Sequence, residues 1–277
     1  MSEDAILIER DGALGWIRIN RPDRLNAFSG DMRQRIEAGL RELDEDDDVR
    51  VVMVTGVGRA FSTGGDIQVM RDLAEERDTE AFHELVVAGE RVVTLIDEME
   101  KPVIAVVNGP AAGAGACLAL ACDLRIASEA ASIGFTFVRV GMHPDWGGTY
   151  FLPRLIGPAL AAEMIYTGGM IGAERAERLG LFNRVVPAAQ LEGAARAFAG
   201  EIAHAPRLVI THAKHALRGA LHGTLREQLL LERAAQLAAF DSDDFQEGVH
   251  AFIDKRAPRF GRNANGQAVP ARVKERV

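Results

Sequence analysis

A chain of 277 residues, 48% hydrophobic and 26% charged with a formal net charge of −8, has the make-up of a globular protein with one large core, with or without a small appended domain. The acidic balance argues against a nucleic-acid partner, which needs a basic face. No apolar run approaches the ~20 residues that cross a bilayer, so no membrane span is expected.

In chain order, Ile6, Ile8, then Trp16, Ile17 and Ile19 alternate around Asp11-Gly12, which predicts a β-hairpin. Met32, Ile36, Leu40 and Leu43 have helical spacing within Phe28 to Asp44, and the acidic run Glu42 to Asp48 reads as a solvated helix end and loop. Val51 to Val54 predicts a short buried strand, and Asp78 to Met99 a helix. Lys101 to Asn108 holds a second buried strand, followed by a small-residue helix from Gly113 to Ala121. Leu124 to Ala127 and Ser132 to Phe135 read as further strands, giving a mainly parallel α/β core. Beyond Pro187 the pattern is helical: Leu191 to Ala203, Pro206 to Leu221, Leu225 to Phe240 and Asp243 to Lys255. The resulting division is a core over 1–190, a helical region over 191–260 and a polar, loosely held tail over 261–277. Met1-Ser2-Glu3-Asp4 lacks the parts of a signal peptide. Cys117 and Cys122, five residues apart, face different ways on one helix, so a reducing cytoplasm is the simplest expectation. No Cys/His cluster has metal-ligand spacing, and no metal is expected.

Four segments carry a family signal. They are Arg21-Pro22-Asp23-Arg24-Leu25-Asn26-Ala27-Phe28, Gly58 to Ile67 with Ser62-Thr63-Gly64-Gly65-Asp66, Lys101 to Gly109 running into Ala112-Gly113-Ala114-Gly115, and Gly141-Met142-His143-Pro144-Asp145-Trp146-Gly147-Gly148-Thr149 with Leu152 to Gly157. One Gly-rich loop would mean little. In this order and spacing, from about residue 5 to 260, the chain resembles the enoyl-CoA hydratase/isomerase (crotonase) family. The resemblance implies a spiral of stacked ββα units followed by a helical trimerisation region, hence a homotrimer or a dimer of trimers. It also implies an acyl-CoA substrate, with coenzyme A carried as part of that substrate and no separate cofactor.

The chemistry suits the segments. A thioester enolate concentrates negative charge on one oxygen, and two fixed backbone N–H donors stabilise it, each worth ~3 kcal/mol. The resemblance places these donors at Gly65 and Ala114. Gly64-Gly65 allows close backbone approach, and Ala114 opens a helix whose dipole reinforces its N–H. The resemblance also places Arg24 near the CoA phosphates. It sets Thr63, Asp66 and Ile67 around the adenine and pantetheine, counts Leu25 and Ala27 among the substrate-binding residues, and lets Phe252 and Lys255 reach the nucleotide, often across a subunit contact. Arg24 and Lys255 are otherwise ordinary surface charges, and Asp66 is otherwise a helix cap.

Hydratases of the family use two glutamates, and the corresponding positions here are Cys117 and Phe137. Water addition needs both water activation and proton delivery to carbon, which this pair cannot supply in the usual way. Asp145 is the carboxylate that remains. Several relatives carry an aspartate there, and the run Ala111 to Ala116 with Pro144-Asp145 looks most like the ring-1,2-epoxyphenylacetyl-CoA isomerases. One base suffices to move a proton between two carbons, so the expected activity is an enoyl-CoA isomerase with Asp145 as single acid/base. The alternatives are a hydratase or hydrolase whose water is activated by Asp145, and a catalytically silent acyl-CoA-binding subunit. Glu90, His143 and Cys117 are weaker candidates to assist. Phe135, Phe137, Met142 and Trp146 are expected to line an apolar acyl pocket, or simply to be core.

Overall fold

A computed structural model describes residues 5–261. The chain opens with β1 (Ile6–Asp11) and β2 (Leu14–Ile19), then α1 (Met32–Glu45), β3 (Val51–Gly56), α2 (Ile67–Glu76) and α3 (Thr79–Glu98). Next come β4 (Val103–Val107), β5 (Pro110–Ala112), α4 (Ala114–Ala121), β6 (Leu124–Ser128) and β7 (Ser132–Gly134). After a 3-10 turn over Thr136–Val140 follow α5 (Gly148–Ile156), α6 (Pro158–Thr167), β8 (Met170–Gly172), α7 (Ala173–Arg178) and β9 (Arg184–Val186). Helices α8 (Leu191–Ala203), α9 (Arg207–Gly219), α10 (Leu225–Phe240) and α11 (Asp243–Ile253) complete the chain.

The large sheet runs β1-β2-β3-β4-β6-β9, antiparallel only at the β1–β2 hairpin and parallel thereafter. A small sheet, β5-β7-β8, lies beside it. Successive turns of chain give one strand to each sheet: β4 then β5, β6 then β7. The preceding turn does the same in reduced form, where Ser62 bridges Ala111 after β3. This is the expected α/β spiral of ββα units.

All six residues of β3 are buried because both faces of the sheet are covered. Val52 and Val54 belong to the larger core, with α1, α3 and α4. Val51 and Met53 point the other way, into a smaller core with Trp16, Ile104 and Ile126 closed by Leu191, Ala195 and Ala199 of α8. The buried Lys101 and Lys214 tie the helices to this core. Lys101 donates to the carbonyls of Leu43 and Asp46, while Lys214 donates to those of Ile96 and Lys101 and pairs with Asp123 at 2.7 Å.

Several element ends shift by one or two residues from the sequence reading, and two starts have a clear local cause. The first helix begins at Met32, not Phe28, because Gly30 at φ +51° turns the chain and leaves Phe28 extended, bridged to Gly65. The small-residue helix begins at Ala114, with Gly113 as its N-cap at φ +54°. Helix α5 lies in a stretch read only as a motif, while α2, α6, α7, β8 and β9 fall in stretches to which the sequence reading gave no element. The C-terminal helices are as predicted in type, and α10 has no buried residue while Leu225, Leu229, Leu230, Leu231 and Leu237 are exposed. The expectations about Met1 to Asp4 and most of the tail, residues 262–277, lie outside the described residues. No helix among those described is long and apolar enough to cross a membrane. No group of three metal-ligating side chains is found among them either.

Candidate active site

The first motif is folded by its own polar groups. Buried Asn26 accepts from the Arg21 N–H and donates to the carbonyls of Val57 and Ala60. Ser62 Oγ donates to the Asn26 carbonyl at 2.8 Å and accepts from the Gly64 N–H. Asp66 caps α2 through the Gln68 N–H and pairs with Arg21 at 3.0 Å, so its carboxylate is engaged within the protein. The 21–28 and 58–67 segments thus form one hydrogen-bonded unit.

That unit aims two main-chain donors. Phe28 donates to the Gly64 carbonyl at 2.7 Å and accepts from Asp66 N–H at 3.0 Å. In such a parallel bridge the N–H of the intervening Gly65 points away from Phe28. Ala114 opens α4, so its N–H has no carbonyl within the helix. The two segments touch closely: a Cβ on Gly64, which sits at φ +86°, would lie 3.0 Å from both the Ala114 nitrogen and the Ala112 oxygen. A Cβ on Gly115 would lie 2.2 Å from the Ser62 oxygen. Glycine at both positions is therefore what lets the segments meet.

Both donors border a cavity of about 460 Å³, also lined by Arg24, Ala27, Arg33, Thr63, Asp66, Ile67, Phe137 and Asp145, a volume in the usual range for small-molecule sites. Its remaining walls include Phe82, Leu85 and Val86 of α3, and Thr136, Arg139 and Met142.

Asp145 is held in a tight turn. Gly148 N–H donates to its carbonyl, and the following Trp146 and Gly147 both have positive φ. The Trp146 indole stacks on Phe28, centroids 5.0 Å apart and planes 9° apart. Gly89 of α3 leaves the indole its space, since a Cβ there would lie 1.9 Å from the ring nitrogen. Asp145 Oδ1 is enclosed without a hydrogen-bond partner. Burial pushes its carboxyl up to about 6, partly offset by the Arg33 guanidinium, a backbone hydrogen bond and His143. Burial also pushes the Cys117 thiol well above its usual range, and nearby Asp145 adds to this. Cys117 is thus a neutral filler beneath the loop, with its sulfur where a Cβ on Gly148 would go.

The structure separates the other expected residues. Trp146 lies behind Asp145 and does not line the cavity. Leu25 is half-buried and holds the loop through its carbonyl, which accepts from the Thr63 N–H. Phe252 and Lys255 are exposed on α11 and just beyond it, away from the cavity of this subunit. Phe252 instead joins Val209, Phe245, Val249, Ile253 and Phe260 around an apolar cleft. Phe135 is wholly buried core. Glu90 is exposed and points outside the cavity lining, and His143 is exposed with Nδ1 2.7 Å from the Pro144 carbonyl. Arg33 was not singled out in the sequence. It sits one residue after Met32, and its place on the buried face is a matter of helix phase that an arginine disguises.

Comparison with known proteins agrees with this architecture. The sequence model described as enoyl-CoA hydratase/isomerase matches residues 9–263. The "Probable enoyl-CoA hydratase echA8" of Mycobacterium tuberculosis is 39% identical over 262 residues, 94% of this chain and 99% of its own. The 1,2-epoxyphenylacetyl-CoA isomerase of Escherichia coli K12 is 37% identical over 251 residues, 88% and 93% respectively. A crystal structure of an enoyl-CoA hydratase subunit from Geobacillus kaustophilus superposes with a TM-score of 0.85 at 40% identity, covering 92% of this chain and 97% of that one. Hydratase and isomerase relatives thus stand at nearly equal identity, so overall similarity does not single out the ring-epoxide isomerases. The segment order, the ββα spiral and these matches establish that the chain is an enzyme of the enoyl-CoA hydratase/isomerase family, built to process acyl-CoA thioesters.

Proposed function

We propose that the chain is an enoyl-CoA isomerase in which Asp145 is the single acid/base. The observation that carries this reading is a half-desolvated carboxylate, Asp145, on the same cavity as two unpaired backbone N–H groups, the cavity's other carboxylate, Asp66, being tied to Arg21 and the Gln68 N–H, with Cys117 and Phe137 at the positions of the two hydratase glutamates. The thioester carbonyl oxygen accepts from Gly65 and Ala114. Asp145 takes a proton from one carbon of the acyl chain, and the electron pair moves into a dienolate whose charge rests on that oxygen. The same carboxyl returns the proton to another carbon, the double bond shifts, and mass is conserved. A carboxyl held near 6 accepts a proton at neutral pH and gives it back readily. Arg24 at the mouth, with Ala27, Thr63 and Ile67, holds the CoA portion, and Phe137 covers the acyl group. The motif around Pro144-Asp145 favours an isomerase like the epoxyphenylacetyl-CoA isomerase, whose 37% identity accords with this reading without selecting it over the hydratases.

The names of the hydratase relatives favour a second reading, in which Asp145 activates water. Mass spectrometry on a panel of enoyl-CoAs separates the two. Isomerisation leaves mass unchanged with a new retention time, hydration adds one water, and binding without change leaves a silent acyl-CoA-binding subunit. A gain of water across the panel would overturn the isomerase assignment.

The organisation proposed for the chain is a catalytic spiral over 1–190 and an oligomerisation region over 191–260, forming a homotrimer or a dimer of trimers in the cytoplasm. The exposed leucines of α10 and the apolar cleft around Phe252 support subunit contact there. In such an assembly Phe252 and Lys255 serve a neighbouring subunit's ligand. Light scattering that shows only monomer at micromolar concentration would refute it.

A further inference from the structure

Arg33 is 4% exposed, yet it lines the acyl cavity. Its Nε and Nη1 are enclosed and have no hydrogen-bond partner. The guanidinium carbon lies 5.7 Å from the centre of the Phe28 ring and 6.0 Å from that of Trp146, at the outer limit of a cation–π contact. The two rings flank the group and offer its Nε and Nη1 no hydrogen-bond acceptor. Nη2, which is not among the enclosed atoms, is the nitrogen left to the cavity. Asp145 is near enough to be felt electrostatically, but its enclosed Oδ1 is also partnerless. Two opposite charges therefore share one cavity without bonding each other. Burying a guanidinium is costly unless its donors are used, and a purely structural role at this place on α1 would be met by an apolar residue such as the adjacent Met32.

We propose that Arg33 recognises the acyl group, and that the substrates are acyl-CoAs carrying a neutral oxygen acceptor (hydroxyl, keto or ether) at or beyond C4, which takes the Nη2 donor. This deepens the isomerase reading and rests on its placement of the acyl chain beside Asp145. A neutral acceptor is chosen over a carboxylate because Asp145 already supplies one negative charge, and a second beside it in a partly desolvated site would repel it. A site that supplies a buried donor discriminates strongly against a ligand that leaves the donor unpaired, far more than an apolar wall does against one methylene.

Isothermal titration with saturated acyl-CoAs tests this without turnover. The series compares an all-carbon chain with chains in which one methylene from C4 to C8 is replaced by an ether oxygen, and with an ω-carboxylate chain. The wild-type protein is expected to bind at least one ether analogue roughly tenfold or more tightly than its all-carbon counterpart. Arg33→Met, which keeps the length and packing of the side chain, is expected to bring that ratio close to one, with folding checked by its melting temperature. No ether preference at any position in the wild-type protein overturns the proposal, as does an undiminished preference in a folded Arg33→Met variant. A preference for the carboxylate chain overturns the neutral class. Saturated chains cannot isomerise, so a negative result here speaks against Arg33 alone, and a negative result in the enoyl-CoA panel against the isomerase reading alone.

Discussion

The cavity has two walls built on different physics. One is main chain, where Gly64-Gly65 meets Gly113-Ala114, and it works because no side chain stands between the segments. The other is side chain, lined by Arg33, Phe137 and Asp145. The first wall is set by how tightly the spiral packs and, in the proposed mechanism, serves any thioester. The second is set by residue identity and can be rewritten without disturbing the fold. Members of one family can thus share an anion-stabilising device while differing in the chemistry applied to the acyl chain.

Asp145→Asn breaks the side-chain wall while keeping its shape. Turnover is expected to fall on the order of a hundredfold or more, with acyl-CoA affinity retained; near-wild-type turnover in steady-state assays would remove Asp145 as the base. Gly64→Ala breaks the other wall. At φ +86°, with the new Cβ 3.0 Å from the Ala114 nitrogen, the segments must part, so both melting temperature and kcat should drop, the latter about tenfold. A variant unchanged in both would show that the two segments need not touch.

The comparison sharpens with pH. The wall of backbone donors does not titrate, whereas the Asp145 carboxyl, held near 6 by burial, must be ionised to accept a proton. With Asp145 as the proposed base, kcat should rise about tenfold per pH unit below 6 and level off above it. A flat profile from pH 5 to 8 would place the base elsewhere. Stability should move the opposite way. A carboxyl raised from its ordinary 3.8 to about 6 on folding favours the folded state when protonated, so stability present below about pH 4 is lost as pH rises through 6. Asp145→Asn lacks that loss. It should be more stable than wild type by ~1–2 kcal/mol at pH 8, a figure discounted for the oxygen that faces the cavity, and about equal at pH 4. Chemical denaturation at the two pH values measures this. The smallest effect is expected at the mouth. Arg24→Ala should raise KM several-fold and leave kcat nearly untouched, as loss of uniform binding does.

Much of this was legible in the sequence because it depends on short-range signals. Residues 51–54 and 103–107 are short, β-branched apolar runs that read as interior strands, and the structure places β3 and β4 there. The small run from Ala111 to Ala116 admits no wide side chain. Cysteine and phenylalanine stand at 117 and 137, where the family resemblance puts the two glutamates of hydratases. The family resemblance rests on such positions, and it is the resemblance that implies the spiral and places the proposed donors and the proposed base.

What only the tertiary structure decided is which residues meet across long separations. Trp146, adjacent to Asp145, turned out to be its backing, because Gly89 on α3 opens a slot for the indole. Phe252 and Lys255 lie off the cavity, since α11 packs elsewhere in a single subunit. Arg33 passed unnoticed because an arginine on a helix ordinarily faces water, and only the packing of α1 against Phe28 and Trp146 turns it inward. Local patterns fix the backbone and its donors; the depth at which a charge is buried, and what faces it, is set by segments more than a hundred residues apart in the chain.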